Sequence, residues 1–210
     1  MLRRLLVLIL SLYAIVSYAA FQPQPGVHYI TLTPSQRIGI SMYPAPVALE
    51  FFSYGCSSCY AFEPYLQQWL KTLPRSVTVE LVPVTFFKPG WYAYAKTFYV
   101  LKDMHKVTTL GPVLYEAVHQ QGKNLSTETE LATFFTRYGI SRNQFMSRYD
   151  STQVSDQVIQ AQRLANQFHV QYTPTIVVNY RYRTNPSLAG SFTMMLKTVD
   201  WLLWNQPARS

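Results

Sequence analysis

The chain has 210 residues, 49% of them hydrophobic, with 18 Lys and Arg against 10 Asp and Glu for a formal charge of +8. That balance excludes a disordered or fibrous chain, and because the basic residues are scattered rather than clustered it gives a basic solvated surface, not a nucleic-acid groove. With only two cysteines it also excludes a disulfide-framework scaffold.

The chain opens MLRR, runs through the uncharged stretch Leu5 to Val16 and reaches Ser17-Tyr18-Ala19. Positive, apolar and small-residue regions in that order mark residues 1–19 as an export signal, cleaved near Ala19. The apolar run is roughly a dozen residues and holds Ser11, short of the about 20 that span a bilayer. Losing Arg3 and Arg4 lowers the net charge to about +6. The roughly 190 residues that remain suffice for one sizeable core.

The stretch HYITL, residues 28 to 32, and PVALEFFS, residues 46 to 53, read as strands, the second apolar enough to be central in a sheet covered on both faces. Then comes CSSC, Cys56 to Cys59. From Tyr60 to Leu73 the apolar residues Phe62, Leu66, Trp69, Leu70 and Leu73 have helical spacing, and Pro74 closes the segment. Val77 to Val84 returns to strand character, so a parallel βαβ unit is expected.

From Pro89 to about Phe168 the pattern is helical, broken at Gly111-Pro112, Gly122-Lys123-Asn124, Gly139 and Asp150-Ser151-Thr152. Ser126 with Glu130 nearby, Ser141 and Ser151 carry helix-start chemistry. Residues 174 to 179 form a strand, Tyr180 to Arg183 its hairpin partner, and Ser191 to Trp204 a final amphipathic helix. The expected fold is α/β, a thioredoxin-like fold with an inserted all-helical domain. Residues 20–87 and 169–210 make the sheet domain, and 88–168 the insertion.

Cys56 and Cys59 admit three readings: a structural staple, half a metal site or a redox pair. A bridge closing so short a loop removes little unfolded-state entropy, which weakens the first. At the start of a helix, Cys56 meets unpaired backbone N–H groups and the positive end of the helix dipole, and both favour thiolate. Cys59, one turn on, is shielded, so the first sulfur attacks and the second resolves. Lowering the Cys56 pKa from about 8.5 to about 5.5 stabilises the reduced form at pH 7 by roughly 2 kcal/mol, which raises the reduction potential by about 45 mV.

The motifs LEFFSYGCSSCYAFEP and YTPTIVVNYRYRTNP, on either side of the helical segment, resemble the DsbA family of exported thiol-disulfide oxidoreductases over nearly all of the mature chain. The resemblance implies that Cys56 is the nucleophile, Cys59 the resolving cysteine and Pro174 a cis proline facing the pair. Thr173, before it, would bind an extended client peptide through its backbone. It also places the buried acid of the family on Glu50 and a helix glutamate on Glu63. The pair encloses Ser57 and Ser58 where the best-known members have Pro-His, which implies a weaker oxidant. Thr173 replaces the Val of the familiar oxidases, a change also seen in exported isomerases. The lysine that often pairs with the buried acid falls on Leu81.

A buried Glu50 has its pKa raised and can take the proton when Cys59 attacks. Glu63 reads as a surface or capping charge. His28, His105, His119 and His169 read as satisfied surface or core residues, and none has metal spacing. The aromatic residues Trp91, Tyr92, Tyr94, Phe98 and Tyr99 read as core, with a few rings lining a peptide groove.

The resemblance implies a periplasmic oxidase that passes its disulfide to reduced, newly exported proteins. A membrane quinone-linked partner reoxidises it, it needs no bound cofactor, and it is a monomer. The alternatives are a disulfide isomerase or reductase, and a thiol-based metallochaperone for copper or zinc.

Overall fold

The computed structural model describes residues 21–37, 39, 44 and 46–205, so the export signal at 1–19 lies outside the described residues. Five strands form one sheet: β1 (Ile30–Thr31), β2 (Val47–Phe52), β3 (Thr78–Pro83), β4 (Thr175–Val178) and β5 (Tyr182–Thr184), in the order β1-β5-β4-β2-β3. All six residues of β2 are buried, as its unbroken apolar run requires. It pairs in parallel with β3 and antiparallel with β4. The parallel partner is reached through helix α1 (Ser57–Leu70), the βαβ unit expected from the sequence.

Helix α1 begins three residues earlier than its apolar period, because Cys56 itself is the N-cap, and stops at Leu70. Leu73 precedes Pro74, and the proline ring disfavours helical backbone at that position. Turn hydrogen bonds, Thr72 N–H to Trp69 O and Leu73 N–H to Leu70 O, replace the last helical bonds.

Between β3 and β4 lie α2 (Trp91–Asp103), α3 (Val107–His119), α4 (Glu128–Thr136), α5 (Arg142–Tyr149) and α6 (Thr152–Gln167). Ser141 and Ser151 cap α5 and α6 as expected. The cap of α4 is Thr127 rather than Ser126. Thr127 and Glu130 have the three-residue spacing of a capping box, with each side chain bonded to the other's backbone N–H. Gly111-Pro112 is not a break but lies inside α3. Pro112 is exposed there, and its missing N–H costs only the helical partner of the exposed Thr108 carbonyl.

After β5 come α7 (Pro186–Ala189) and α8 (Phe192–Trp204), capped by Asn185 and Ser191. Strand β4 ends at Val178, one residue earlier than expected. Asn179 and Tyr180 both adopt positive φ, 49° and 56°, to turn the hairpin. Asn179 is buried; its Oδ1 accepts from Val47 N–H at 2.9 Å and its Nδ2 donates to the Leu202 carbonyl at 3.3 Å. That ties the turn to β2 and α8.

Alternate residues of β2 divide the core. Val47, Leu49 and Phe51 join a cluster that continues into α2 to α6, whereas Ala48 faces Phe62, Leu66 and Trp69 of α1 and Met195, Val199 and Leu202 of α8. Each such large buried side chain contributes about 1.5–3 kcal/mol relative to exposure. Glu50 takes its place in this alternation on a strand with no exposed position. Among the described residues, no helix is long and apolar enough to cross a membrane.

Candidate active site

Strand β2 ends at Phe52 and the chain turns through Ser53, Tyr54 and Gly55 to reach Cys56. Gly55 is obligatory: a Cβ there would sit 2.5 Å from Trp91 Nε1 and 3.1 Å from the Tyr94 ring. Two members of the aromatic run of α2 therefore press directly on the residue before the first cysteine. The third of the loop's fixed points is Cys56 N–H, donating to Ser53 O at 3.0 Å.

Cys56, with extended backbone at φ −95° and ψ 114°, caps α1 by accepting the Cys59 N–H on its sulfur at 3.2 Å. Thr173 approaches from the far end of the sequence. Its hydroxyl donates to Cys56 Sγ at 3.1 Å and its carbonyl lies 3.5 Å from the same sulfur, where it accepts the S–H of the protonated form. The Thr173–Pro174 peptide bond is cis, as the resemblance implied. The two cysteines are unpaired thiols and differ in access: Cys56 is 9% exposed and Cys59 is 1% exposed.

These contacts pull the Cys56 pKa from the ordinary 9.0 down to about 6. The largest cause is the Cys59 thiol, which donates its S–H to the Cys56 sulfur. Burial opposes it, and the Thr173 hydroxyl and the backbone N–H groups of Cys59 and Ser58 add to it. Of the two serines between the cysteines, Ser58 contributes through its main-chain N–H rather than its hydroxyl. Cys59 goes the other way: burial pushes its thiol well up, its donation to Cys56 pushes it further, and the charges on Cys56 and Glu50 add to that.

Glu50 lies beneath the pair, 3% exposed. Its neighbours across the sheet are Leu81 on β3 and Ile176 on β4, so no cation occupies the flanking strands at this level. Its Oε2 has no hydrogen-bond partner among the described residues. Burial raises its pKa well above the usual carboxylate range, with the charges of Glu63 and Cys56 adding to the effect. Glu63 is neither a cap nor a surface charge. It is half-buried on α1, its pKa is raised by burial, and it shares with Glu50 a cavity of about 220 Å³ also lined by Tyr54, Leu66, Leu81 and Tyr115. Sequence periodicity places Glu63 on the outer side of α1. Only the packing of α3 across α1 encloses it.

Among the described residues no three His, Cys, Asp or Glu side chains converge as a metal site would require. His119 Nε2 lies 2.8 Å from the carbonyl oxygen of Tyr54, a contact that nothing in its sequence neighbourhood signals.

A family model described as a DSBA-like thioredoxin domain matches residues 48–195, a span that contains the cysteine pair, the helices and the cis proline. The chain belongs to the DsbA family. It is 30% identical over 194 residues to the thiol:disulfide interchange protein DsbA of Pseudomonas syringae pv. tomato, covering 92% of this chain and 89% of the relative. With the protein of the same name from Pseudomonas aeruginosa it shares 32% identity over 183 residues, covering 87% and 85% of the two chains. The crystal structure of Pseudomonas aeruginosa DsbA superposes with a TM-score of 0.78 at 32% identity, covering 85% of this chain and 91% of that one. The fold is the DsbA-like thioredoxin fold, and the chain is a thiol-disulfide oxidoreductase that exchanges disulfides with substrate proteins.

The displaced Cys56 pKa has a measurable consequence for this DsbA-family protein. Between pH 6 and pH 9 the unfolded chain holds the Cys56 proton and the folded dithiol does not, so stability of the reduced form rises with pH. The contribution is lost as pH falls through about 6 and is on the order of 1 kcal/mol at pH 7. Above pH 9 the raised Cys59 pKa reverses the slope, because the unfolded chain then ionises a thiol that the fold keeps protonated. The oxidised form has neither titration. Denaturant melts of the two forms are expected to diverge progressively as pH rises from 5 to 8, and parallel curves would contradict the assignment.

Proposed function

We propose that the protein is an exported dithiol oxidase, working in the periplasm, that donates the Cys56–Cys59 disulfide to reduced, newly exported proteins. The observation that carries this reading is the asymmetry of the pair: a largely buried sulfur that still reaches the surface and is held as thiolate near neutrality, beside a sealed one held as thiol. A good leaving group at Cys56 makes its disulfide the less stable form. At pH 7 the stabilised thiolate contributes on the order of 1 kcal/mol, or roughly 20 mV towards oxidising potential, against a pair without it.

A client thiolate attacks Cys56 Sγ, the Cys56–Cys59 bond breaks, and Cys59 leaves as a thiolate. Glu50, whose pKa burial raises well above the usual carboxylate range, gives Cys59 its proton, and the largely apolar cavity that it shares with the Glu63 carboxyl has room for water to return one. A second client thiol, losing its proton, attacks the client sulfur of the mixed disulfide and Cys56 departs as thiolate. Two electrons have moved from the client dithiol to the enzyme. A membrane quinone-linked protein then takes them and restores the disulfide.

Client binding falls to the Thr173–Pro174 loop. Thr173 presents its backbone beside Cys56 Sγ, and Tyr172, 65% exposed, extends the surface outward. An extended client segment pairing with Thr173 would bring its cysteine to Cys56. Segment 88–168 is the inserted unit that walls this face, and the protein acts as a monomer.

Equilibration with glutathione tests the direction of exchange. Half-reduction is expected in buffers poised above about −200 mV, whereas a potential near about −270 mV would make the protein a reductase and remove the oxidase reading.

A further inference from the structure

Three residues of α3 spaced four apart, Gly111, Tyr115 and His119, share one stripe of the helix, and all three meet the turn that carries Cys56. A Cβ on Gly111 would lie 3.0 Å from the Tyr54 hydroxyl, so the bare backbone of α3 receives that ring. The Tyr115 ring meets Tyr54 edge-on at 4.9 Å between centroids. His119 closes the stripe. Its ring stacks on Tyr60 at 5.2 Å and 15°, and its Nε2 lies 2.8 Å from the Tyr54 carbonyl. A carbonyl oxygen only accepts, so Nε2 carries the proton and donates, in the neutral ring and in the imidazolium alike.

We propose that His119 is a positioning residue for Cys56. It grips the active-site turn from both sides: the carbonyl two residues before Cys56, and the ring of Tyr60, one residue after Cys59. Fixing the Tyr54 carbonyl fixes the plane of the Tyr54–Gly55 peptide, whose N–H donates in the opposite direction to Ser53 Oγ at 3.2 Å. Gly55 has no side chain to resist rotation about its own backbone, so without the imidazole this peptide plane is held on one side only, by the Ser53 bond, and can tilt. The Cys56 sulfur then moves relative to its donors, Cys59 N–H at 3.2 Å and Thr173 Oγ1 at 3.1 Å, and such bonds weaken steeply with distance and angle. The helical segment thereby tunes the sulfur chemically as well as walling it.

The inference rests on Cys56 being the activated sulfur, and the test separates the two. In the full chain, the Cys56 thiolate is titrated by ultraviolet absorbance in the unsubstituted protein, in His119→Phe and in His119→Gln, and each is equilibrated with glutathione. Phe keeps the stack on Tyr60 and removes the donor; Gln keeps an N–H donor and removes the stack. His119→Phe is expected to lower the thiolate-to-thiol ratio of Cys56 at pH 6 by about three- to tenfold, as loss of one hydrogen bond allows, and to move the glutathione equilibrium in favour of the disulfide. His119→Gln is expected to stay within about twofold of the unsubstituted protein. Melting temperatures identify any general loss of fold. If the unsubstituted protein titrates near 6 and His119→Phe does the same, the positioning role is overturned; so is it if Phe and Gln shift the titration equally. An ordinary thiol titration in the unsubstituted protein would instead overturn the activation of Cys56 itself.

Discussion

Cys56→Ser abolishes disulfide exchange with protein thiols, while Cys59→Ser accumulates client protein joined covalently to Cys56. The first result is expected because Cys56 is the sulfur within reach of a visiting chain, and a serine hydroxyl cannot form the mixed disulfide. The second follows from burial: Cys59 is 1% exposed, so its task is to break the mixed disulfide from inside, and without it only a second client thiol can do so. The trapped species is read on non-reducing gels and by mass, with a lifetime lengthened about a hundredfold or more over that of the unsubstituted protein. Serine at position 59 retains an O–H to donate to the Cys56 sulfur, whereas Cys59→Ala deletes the largest cause of the lowered pKa. The alanine variant is therefore expected to titrate at higher pH than the serine variant. Equal titrations would show that a donor at position 59 adds nothing and that the Thr173 hydroxyl and the backbone N–H groups hold the thiolate.

Glu50→Leu is expected to make the protein more stable and slower. The carboxyl lies between Leu81 and Ile176 with one oxygen unpartnered among the described residues, and a buried polar group without a bond costs about 1–3 kcal/mol. Its raised pKa points the same way. Stability from the protonated carboxyl is fully present below the ordinary carboxylate pKa and is lost progressively as pH rises towards the higher folded value, so neutral pH is where the substitution gains. A chain of this size is expected to melt about 2–4 °C higher for each kcal/mol recovered. The loss falls on Cys59: without a neighbour to take or return its proton, resolution of a mixed disulfide slows by about 10²-fold, as removal of a general acid-base group does. Stopped-flow reduction by a model dithiol peptide, paired with thermal melts, reads both effects. A variant that melts lower, or reacts at the unsubstituted rate, would show that Glu50 has a structural partner and no part in the proton transfer.

Much of this was legible in the chain itself. The continuous apolar run before CSSC, the helical spacing after it and the β-branched return announced a central strand, a helix and a parallel neighbour. Capping serines at 141 and 151 marked helix starts because the signal lies within four residues of its effect. Where a cap was misplaced, at Ser126 instead of Thr127, the error was one residue in a local spacing rule. Gly111-Pro112 misled for a different reason: the pair looks like punctuation, yet the glycine is there to admit the Tyr54 ring, a residue 57 positions away. Likewise, Asn179 signalled a turn through its tolerance of positive φ, while its bonds to Val47 and Leu202 had no local trace.

By itself the sequence determined the fold class, the strand-to-helix setting of the cysteines and the kind of chemistry two thiols three residues apart perform. Those features follow from backbone preferences and apolar periodicity, which act over one or two turns of chain. Tertiary structure alone decided how strongly the pair is polarised, because the donors to Cys56 include a hydroxyl 117 residues away, the acid beneath it has its neighbours on two other strands, and the imidazole holding its turn comes from α3. Hydrogen bonds and desolvation act through space within a few ångströms, so their effect on a sulfur is set by which distant segments the fold brings alongside it.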